Sequence, residues 1–242
     1  MALDMKILQH YMFTKKHIMQ LSDNDIQISN KKTSQVLKPV QNNHVSQDNN
    51  FISPKYEDTL FWCFYIITRG LFKYETLGNT TFKEEKSFKI ELVEILRNFK
   101  ELLKKNKWKR SRIENELVVE KKITLSTLFC ICAIKGINMI VVQNRCAHIQ
   151  ENSPGTPFEL IVLGEHGFMI SQHPADQKQQ LIDNYMTDYW IINNINKPLL
   201  AISNYKVDML REICKKLKIP IVTEKGKKYT KKVLYNMISC KI

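Results

Sequence analysis

Three sets of residues in this chain have types and spacings that could do chemistry. Cys63, with His166 far downstream, could form a thiolate–imidazole pair, the histidine taking the thiol proton and Asp176, Asn193 or Asn194 orienting the ring. Cys130-x-Cys132 and Cys146-x-His148 offer soft ligands two residues apart. The third set is cationic. Residues 204–242 hold eleven Lys/Arg against three Asp/Glu, a local charge of +8 out of +13 for the whole chain. Residues 97–122 hold ten against four, or +6, with Trp108 inside the run KKNKWKRSR.

The surroundings decide among these. A Ser53-Pro54 pair reads as N-cap and first position of a helix. That start puts Cys63 in the third turn, past the N–H groups that would lower a thiol pKa. Trp62 and Phe64 beside it would raise that pKa instead, and no oxyanion-hole signature accompanies the cysteine. Cys63 therefore reads as an inert core thiol. On a helix, Cys130 and Cys132 point about 200° apart, so one ion cannot take both. On a strand Cys146 and His148 share a face, but they have no further ligands, and no metal is expected. His166 and the His173-Pro174 pair read as surface or satisfied histidines. No phosphate-binding loop, dinucleotide fingerprint, HExxH or nucleophile elbow is present, and no cofactor is expected.

The basic sets carry the functional expectation. A charge of +13 on 242 residues makes a polyanion the expected partner, nucleic acid before an anionic membrane. In the first patch, Lys215, Lys216, Lys225, Lys227, Lys228, Lys231 and Lys232 are the candidate phosphate contacts. In the second, Lys107, Lys109, Arg110 and Arg112 would neutralise phosphates, and Trp108 either stacks on an unpaired base or folds onto the core.

The elements that must position them follow from period and punctuation. Residues 1–20 carry a short amphipathic pattern, and Ser22 to Asn50 is polar and too poor in apolar residues to offset its ordering entropy. Leu60 to Ile67 is apolar on every face, which marks a helix buried all round. Thr81 with Glu84 gives a capping box ahead of a helix carrying Phe88, Leu92, Leu96, Phe99 and Leu103, and Ser111 with Glu114 repeats the signature. Thr124 opens a further helix that Gly136 ends. The period then drops towards two. Met139–Val142, Cys146–Gln150, Phe158–Leu163 and Gly167–Ser171 read as strands of a small antiparallel sheet. A helix over 175–187 and a short strand at Tyr189–Ile192 follow. The class is α+β, with a flexible region over 1–50, a core domain over 51–200 and a basic unit over 201–242.

In that last unit Val207, Leu210, Ile213, Cys214 and Leu217 share one helical face, with Ser203 or Asn204 as cap. Pro220 ends the helix, Ile219, Ile221 and Val222 form an extended link, and Gly226 marks a turn. Thr230 caps a second helix whose apolar face is Val233, Leu234, Met237 and Ile238. The run VDMLREICKKLKIPI followed by EKGKKYTKKVLYNMI resembles the SAP motif, a helix–extended–helix module that binds DNA, with a link longer than usual. More widely, YEDTLFWCFYIITRG and YWIINNINKPLLAISNYKVDMLREICKKL resemble a protein family encoded by nucleocytoplasmic large (giant) DNA viruses. That resemblance implies a viral origin, with residence in a cytoplasmic virus factory, the virion or the host nucleus, and it lends no established activity.

The reading is a non-catalytic DNA-binding protein, its partner double-stranded DNA or other viral proteins. One alternative is a papain- or ovarian-tumour-like cysteine protease using Cys63 and His166, whose chain order matches. The other is a structural virion-assembly protein. No apolar run reaches the ~20 residues of a membrane-spanning helix, and the start of the chain lacks the regions of a secretory signal.

Overall fold

The computed structural model describes residues 50–242 apart from Asn196, Glu224 and Lys225. The helix expected over 1–20 and the polar stretch over 22–49 lie outside the described residues.

Six strands form one sheet in the order β1-β5-β4-β2-β3-β6. They are β1 (Phe51–Ile52), β2 (Asn138–Gln143), β3 (Cys146–Gln150), β4 (Phe158–Gly164), β5 (Gly167–Ser171) and β6 (Trp190–Ile192). Together with the helices this makes the chain α+β, but the sheet is mixed rather than antiparallel. β2 pairs with β4 in parallel and β3 with β6 in parallel, while the other three pairs are antiparallel. The cause lies in Asn138. Its Oδ1 accepts from the N–H groups of Asn152 (2.6 Å) and Ser153 (2.8 Å), and its Nδ2 donates to the carbonyls of Ser153 and Thr156. Those bonds fold the loop after β3 back past the start of β2, so β4 sets off alongside β2 in the same direction.

Alternation along the strands separates two cores. Met139, Val141, Ile161 and Ile170 face the main helical layer, whereas Ile140, Val142, Ala147 and Leu160 face the opposite side. Helix α1 (Thr59–Arg69) packs on β5 and helix α6 (Leu125–Lys135) on β2. Helix α3 (Thr81–Leu96) packs on α6 and meets α1 through Phe88 against Phe61 and Tyr65, and α5 (Arg110–Val118) packs against α3. Short helices α2 (Leu71–Glu75) and α4 (Lys100–Lys105) join them, and α7 (Ala175–Asp188) covers the other face through Ile182. Every residue from Leu60 to Ile66 is buried, as the all-apolar run predicts.

Several boundaries differ from the sequence reading. Helix α1 begins at Thr59, not Pro54, because the Asp58 carboxylate caps it by accepting from Phe61 N–H at 3.2 Å, while Phe51–Ile52 is drawn into the sheet beside β5. Neither capping box forms. Glu84 accepts from the Tyr65 hydroxyl (2.8 Å) and pairs with Lys73 (2.9 Å), and Glu114 binds Arg97 and Arg110 instead. Helix α3 ends at Leu96, so Phe99 sits at the N-terminal boundary of α4 rather than inside a long helix. Thr124 and Gly136 do bound α6: the Thr124 hydroxyl accepts from Thr127 N–H, and Gly136 takes the left-handed conformation (φ 67°) that favours glycine.

Candidate nucleic-acid interface

Two helices build the C-terminal unit, α8 (Val207–Lys216) and α9 (Lys231–Ser239). Leu210, Ile213, Cys214 and Leu217 of the first pack with Leu234 and Ile238 of the second, and the cluster continues into Cys146 and Ile192 on the β3–β6 edge of the sheet. The apolar spacing at steps of three and four is what turns one face of each helix to this common core. Val233 is the exception, lying exposed on the outer face of α9. The cap residue of α8 is Lys206, since residues 202–204 form a separate 3-10 turn.

Between the helices the chain is more structured than a simple extended link. Lys218 adopts a left-handed conformation (φ 55°) that turns it out of α8, and Ile219 N–H closes on the Cys214 carbonyl at 2.8 Å. Val222 then bridges Lys228 antiparallel, with Thr223 N–H donating to the Lys227 carbonyl at 2.8 Å and Gly226 (φ 75°) at the turn. A small hairpin therefore displays Lys227 and Lys228 just before α9.

The cations divide by environment. Lys215, Lys227, Lys228 and Lys232 are exposed, Lys216 and Lys231 half-buried, and none has an ion-pair partner among the described residues. Lys225 lies outside the described residues. Helix α9 has no acidic residue in its first turn, and Thr230, though at the cap position, makes no side-chain bond to it. Lysines at the positive end of a helix dipole are unfavourable, typically by a few tenths of a kcal/mol each. That end also leaves N–H groups unpartnered, and an anion would satisfy both. By contrast, the groove of about 170 Å3 between α8 and the link is lined by Asp208 and Glu212 as well as Arg211, Lys215 and Lys228, and Arg211 is held by Asp208 at 2.7 Å.

The second basic patch rests on the main core. Lys107 and Lys109 are exposed, Lys107 in the left-handed region at φ 57°. The Trp108 ring is half-buried against the main cluster. Arg110 pairs with Glu114 at 3.3 Å and Arg112 with Glu116 at 3.0 Å, each one helical turn on. Glu116 is buried, yet hydrogen bonds from Thr127, Thr124 and Arg112 outweigh that burial and hold its carboxyl below the usual range. Those guanidiniums are occupied, and the lysines of the patch are the groups without ion pairs.

Cys63 is fully buried in the second turn of α1, a turn earlier than expected, and its thiol donates to the Phe168 carbonyl at 3.6 Å. Burial, with a smaller contribution from the Asp58 carboxylate, pushes that thiol well above its ordinary pKa. His166 is exposed in the β4–β5 turn and makes no hydrogen bond to Cys63. Burial raises Cys130 to about 12 and Cys146 to about 11, and it lowers His148 to about 4. His173 is buried, its ring nitrogen 2.8 Å from the Ser171 hydroxyl. Among the described residues no group of three or more His, Cys, Asp or Glu could hold a metal ion, and no helix is long and apolar enough to cross a membrane.

One buried charge went unread in the sequence. Lys89, fully enclosed in α3, binds Asp58 at 3.0 Å and Glu85 at 2.7 Å and lies 4.6 Å from the centre of the Phe61 ring. Burial raises the Asp58 pKa despite that lysine. The group ties α3 to the start of α1 and, through the bond from Ile123 N–H to Asp58 (3.1 Å), to the entry of α6. It is a structural joint.

In comparison with known proteins, no family model, no curated protein and no solved structure matches the chain.

Proposed function

We propose that the chain is a non-catalytic protein that grips the phosphate backbone of double-stranded DNA through its C-terminal unit. One observation carries the reading: Lys227, Lys228, Lys231 and Lys232 gather around the first turn of α9 without carboxylate partners among the described residues, at a helix end with neither acid nor side-chain cap. A sequence selected for stability would place an acid there. The resemblance of the same stretch to the SAP motif agrees with this use, and the wider resemblance, which implies a viral origin, supports a viral genome as the polyanion.

Backbone contact gives affinity without much base readout, so binding should depend strongly on salt and weakly on sequence. Each neutralised phosphate contributes roughly −0.9 to the slope of log K against log salt, so these four lysines together contribute about −3.6. Changing Lys227 and Lys228 to Ala should flatten the slope by about 1.8 and weaken different duplexes alike. The test is a titration of full-length protein with two unrelated duplexes at several salt concentrations, wild type beside the double variant. An unchanged slope and affinity would remove the C-terminal unit from DNA binding.

A further inference from the structure

The parallel pairing of β2 with β4 has a geometric result. Both strands end on the same side of the sheet, so the β2–β3 turn (Asn144–Arg145) and the β4–β5 turn (Glu165–His166) emerge together. They are two strand spacings apart, roughly 10 Å. Arg145 donates to the Lys216 carbonyl at 3.1 Å, so the last turn of α8, with Lys215 and Lys216, belongs to this end of the molecule.

At the neighbouring turn lies an open cleft of about 590 Å3, whose lining includes Lys55, Tyr56, Glu57, Thr59, Lys122 and His166. Its charged and titratable groups are two lysines, one histidine, one tyrosine and a single carboxylate. Lys55, Lys122 and His166 come from three separate segments: the link after β1, the entry to α6 and the β4–β5 turn. All three are exposed, and neither lysine has an ion-pair partner among the described residues. Ser53 and Thr59 add hydroxyls, while the Tyr56 hydroxyl is engaged by Thr81 at 2.9 Å. The nearby Asp58 carboxylate does not offset this charge, because it is buried and bound to Lys89.

The walls are fixed in place. Thr59 Oγ1 accepts from Phe168 N–H at 3.0 Å, and a Cβ at Gly167 (φ 122°) would meet that threonine at 2.7 Å. Gly167 thus allows the turn bearing His166 to close onto the first residue of α1. The Lys55 N–H donates to the Tyr74 hydroxyl at 2.7 Å, holding the opposite rim.

We infer that this cleft is a second phosphate-binding site, and that it takes a backbone phosphate of the same nucleic acid that the C-terminal unit holds. The inference rests on the function proposed above and extends it. The site supplies two lysine cations, an imidazole and hydroxyl donors around a space large enough for a phosphodiester with its sugar. Lys215, on the same end, lines one groove with Lys228 of the C-terminal unit, so one duplex can span both sites.

Lys55→Ala/Lys122→Ala is the test variant, since both side chains are exposed and the Lys55–Tyr74 bond uses the backbone. Its melting temperature should equal that of wild type. On a duplex of about 30 bp the variant should flatten the salt slope by about 0.9, the share of one phosphate and half of what Lys227→Ala/Lys228→Ala removes. Independently of DNA, inorganic phosphate added to full-length protein should shift the His166 ring signals in NMR. The shift should vanish in Lys55→Ala/Lys122→Ala and persist in Lys227→Ala/Lys228→Ala. A wild-type slope in the cleft variant, beside a flattened one in the α9 variant, overturns the inference and leaves the C-terminal reading standing. A phosphate shift without any change in duplex binding marks an adventitious ion only, and also overturns it. A flattened slope in the cleft variant alone would instead sink the C-terminal reading.

Discussion

His148 sits on the sheet face where β3 passes under the C-terminal unit, beside Cys146 and opposite Ile192 of β6. Its Nδ1 has no hydrogen-bond partner among the described residues, and its Nε2 lies 3.4 Å from the Gln143 side-chain nitrogen. Burial holds the ring near a pKa of about 4, so the folded protein resists its protonation while the unfolded chain accepts a proton near the ordinary value of 6.5. Stability is therefore complete above about pH 6.5 and is lost as pH falls towards 4. The difference between 6.5 and about 4 corresponds to roughly 3 kcal/mol at most. Urea unfolding of wild type and His148→Gln at pH 7, 5.5 and 4.5 should show wild type falling further with acid. Asp58, Glu84 and Glu116, whose pKa values also depart from the ordinary, are present in both proteins and drop out of the difference. Parallel curves would show that the ring is not desolvated. The apolar surroundings of Cys63 were readable in the sequence, because its aromatic neighbours Trp62 and Phe64 are adjacent in the chain. It could not show the burial of His148 or Lys89, whose enclosing groups come from distant segments.

At the scale of elements, α1 is the piece the fold is built on, and its apolar character is readable because no face of Leu60–Ile67 is polar. Trp62 packs against Tyr56, Phe61, Tyr65 and Tyr74, with ring centres 4.9 to 5.6 Å away. Its indole N–H has no partner among the described residues, so its contribution is packing. Trp62→Ala should cost about 3–5 kcal/mol and lower the melting temperature steeply. A soluble variant that melts like wild type would contradict the buried arrangement. The start of α1 departs from its local signal for a reason that recurs in this chain. Ser53-Pro54 and the two apparent capping boxes are local signals, and distant partners overrode each of them: β5 for Phe51–Ile52, Tyr65 and Lys73 for Glu84, Arg97 for Glu114. Thr124 and Gly136 kept their roles because the bonds they make lie within a few residues.

Across the whole molecule, alternating strands and a basic C-terminal helix pair were legible, but neither fixed which sheet edge carries the pair. That attachment depends on Arg145, which stands in the two-residue turn between β2 and β3 at φ 65°. Its Nε donates to the Lys216 carbonyl (3.1 Å) and its Nη2 to the Asp188 carbonyl (3.2 Å), and its guanidinium lies 4.3 Å from the centre of the Tyr189 ring. One side chain thus fastens the end of α8 to the end of α7 and to the sheet turn. Lysine in its place would keep the charge and the same backbone strain, but one ammonium cannot match a planar fork serving two carbonyls. Arg145→Lys should therefore weaken the seat of α8 by about 1–2 kcal/mol, a conservative figure for partly exposed charged hydrogen bonds. Amides of Cys214 to Leu217 should then exchange with deuterium about 5- to 30-fold faster, provided the opening that exposes them is local. Exchange in β4 and α1 should stay as in wild type, since the main core is untouched. The salt slope for duplex binding should also hold, because no cation is lost. If exchange quickened equally everywhere, Arg145 would be a general prop of the fold. If it did not quicken at all, the apolar cluster around Leu210, Leu217 and Leu234 would be enough to seat the unit.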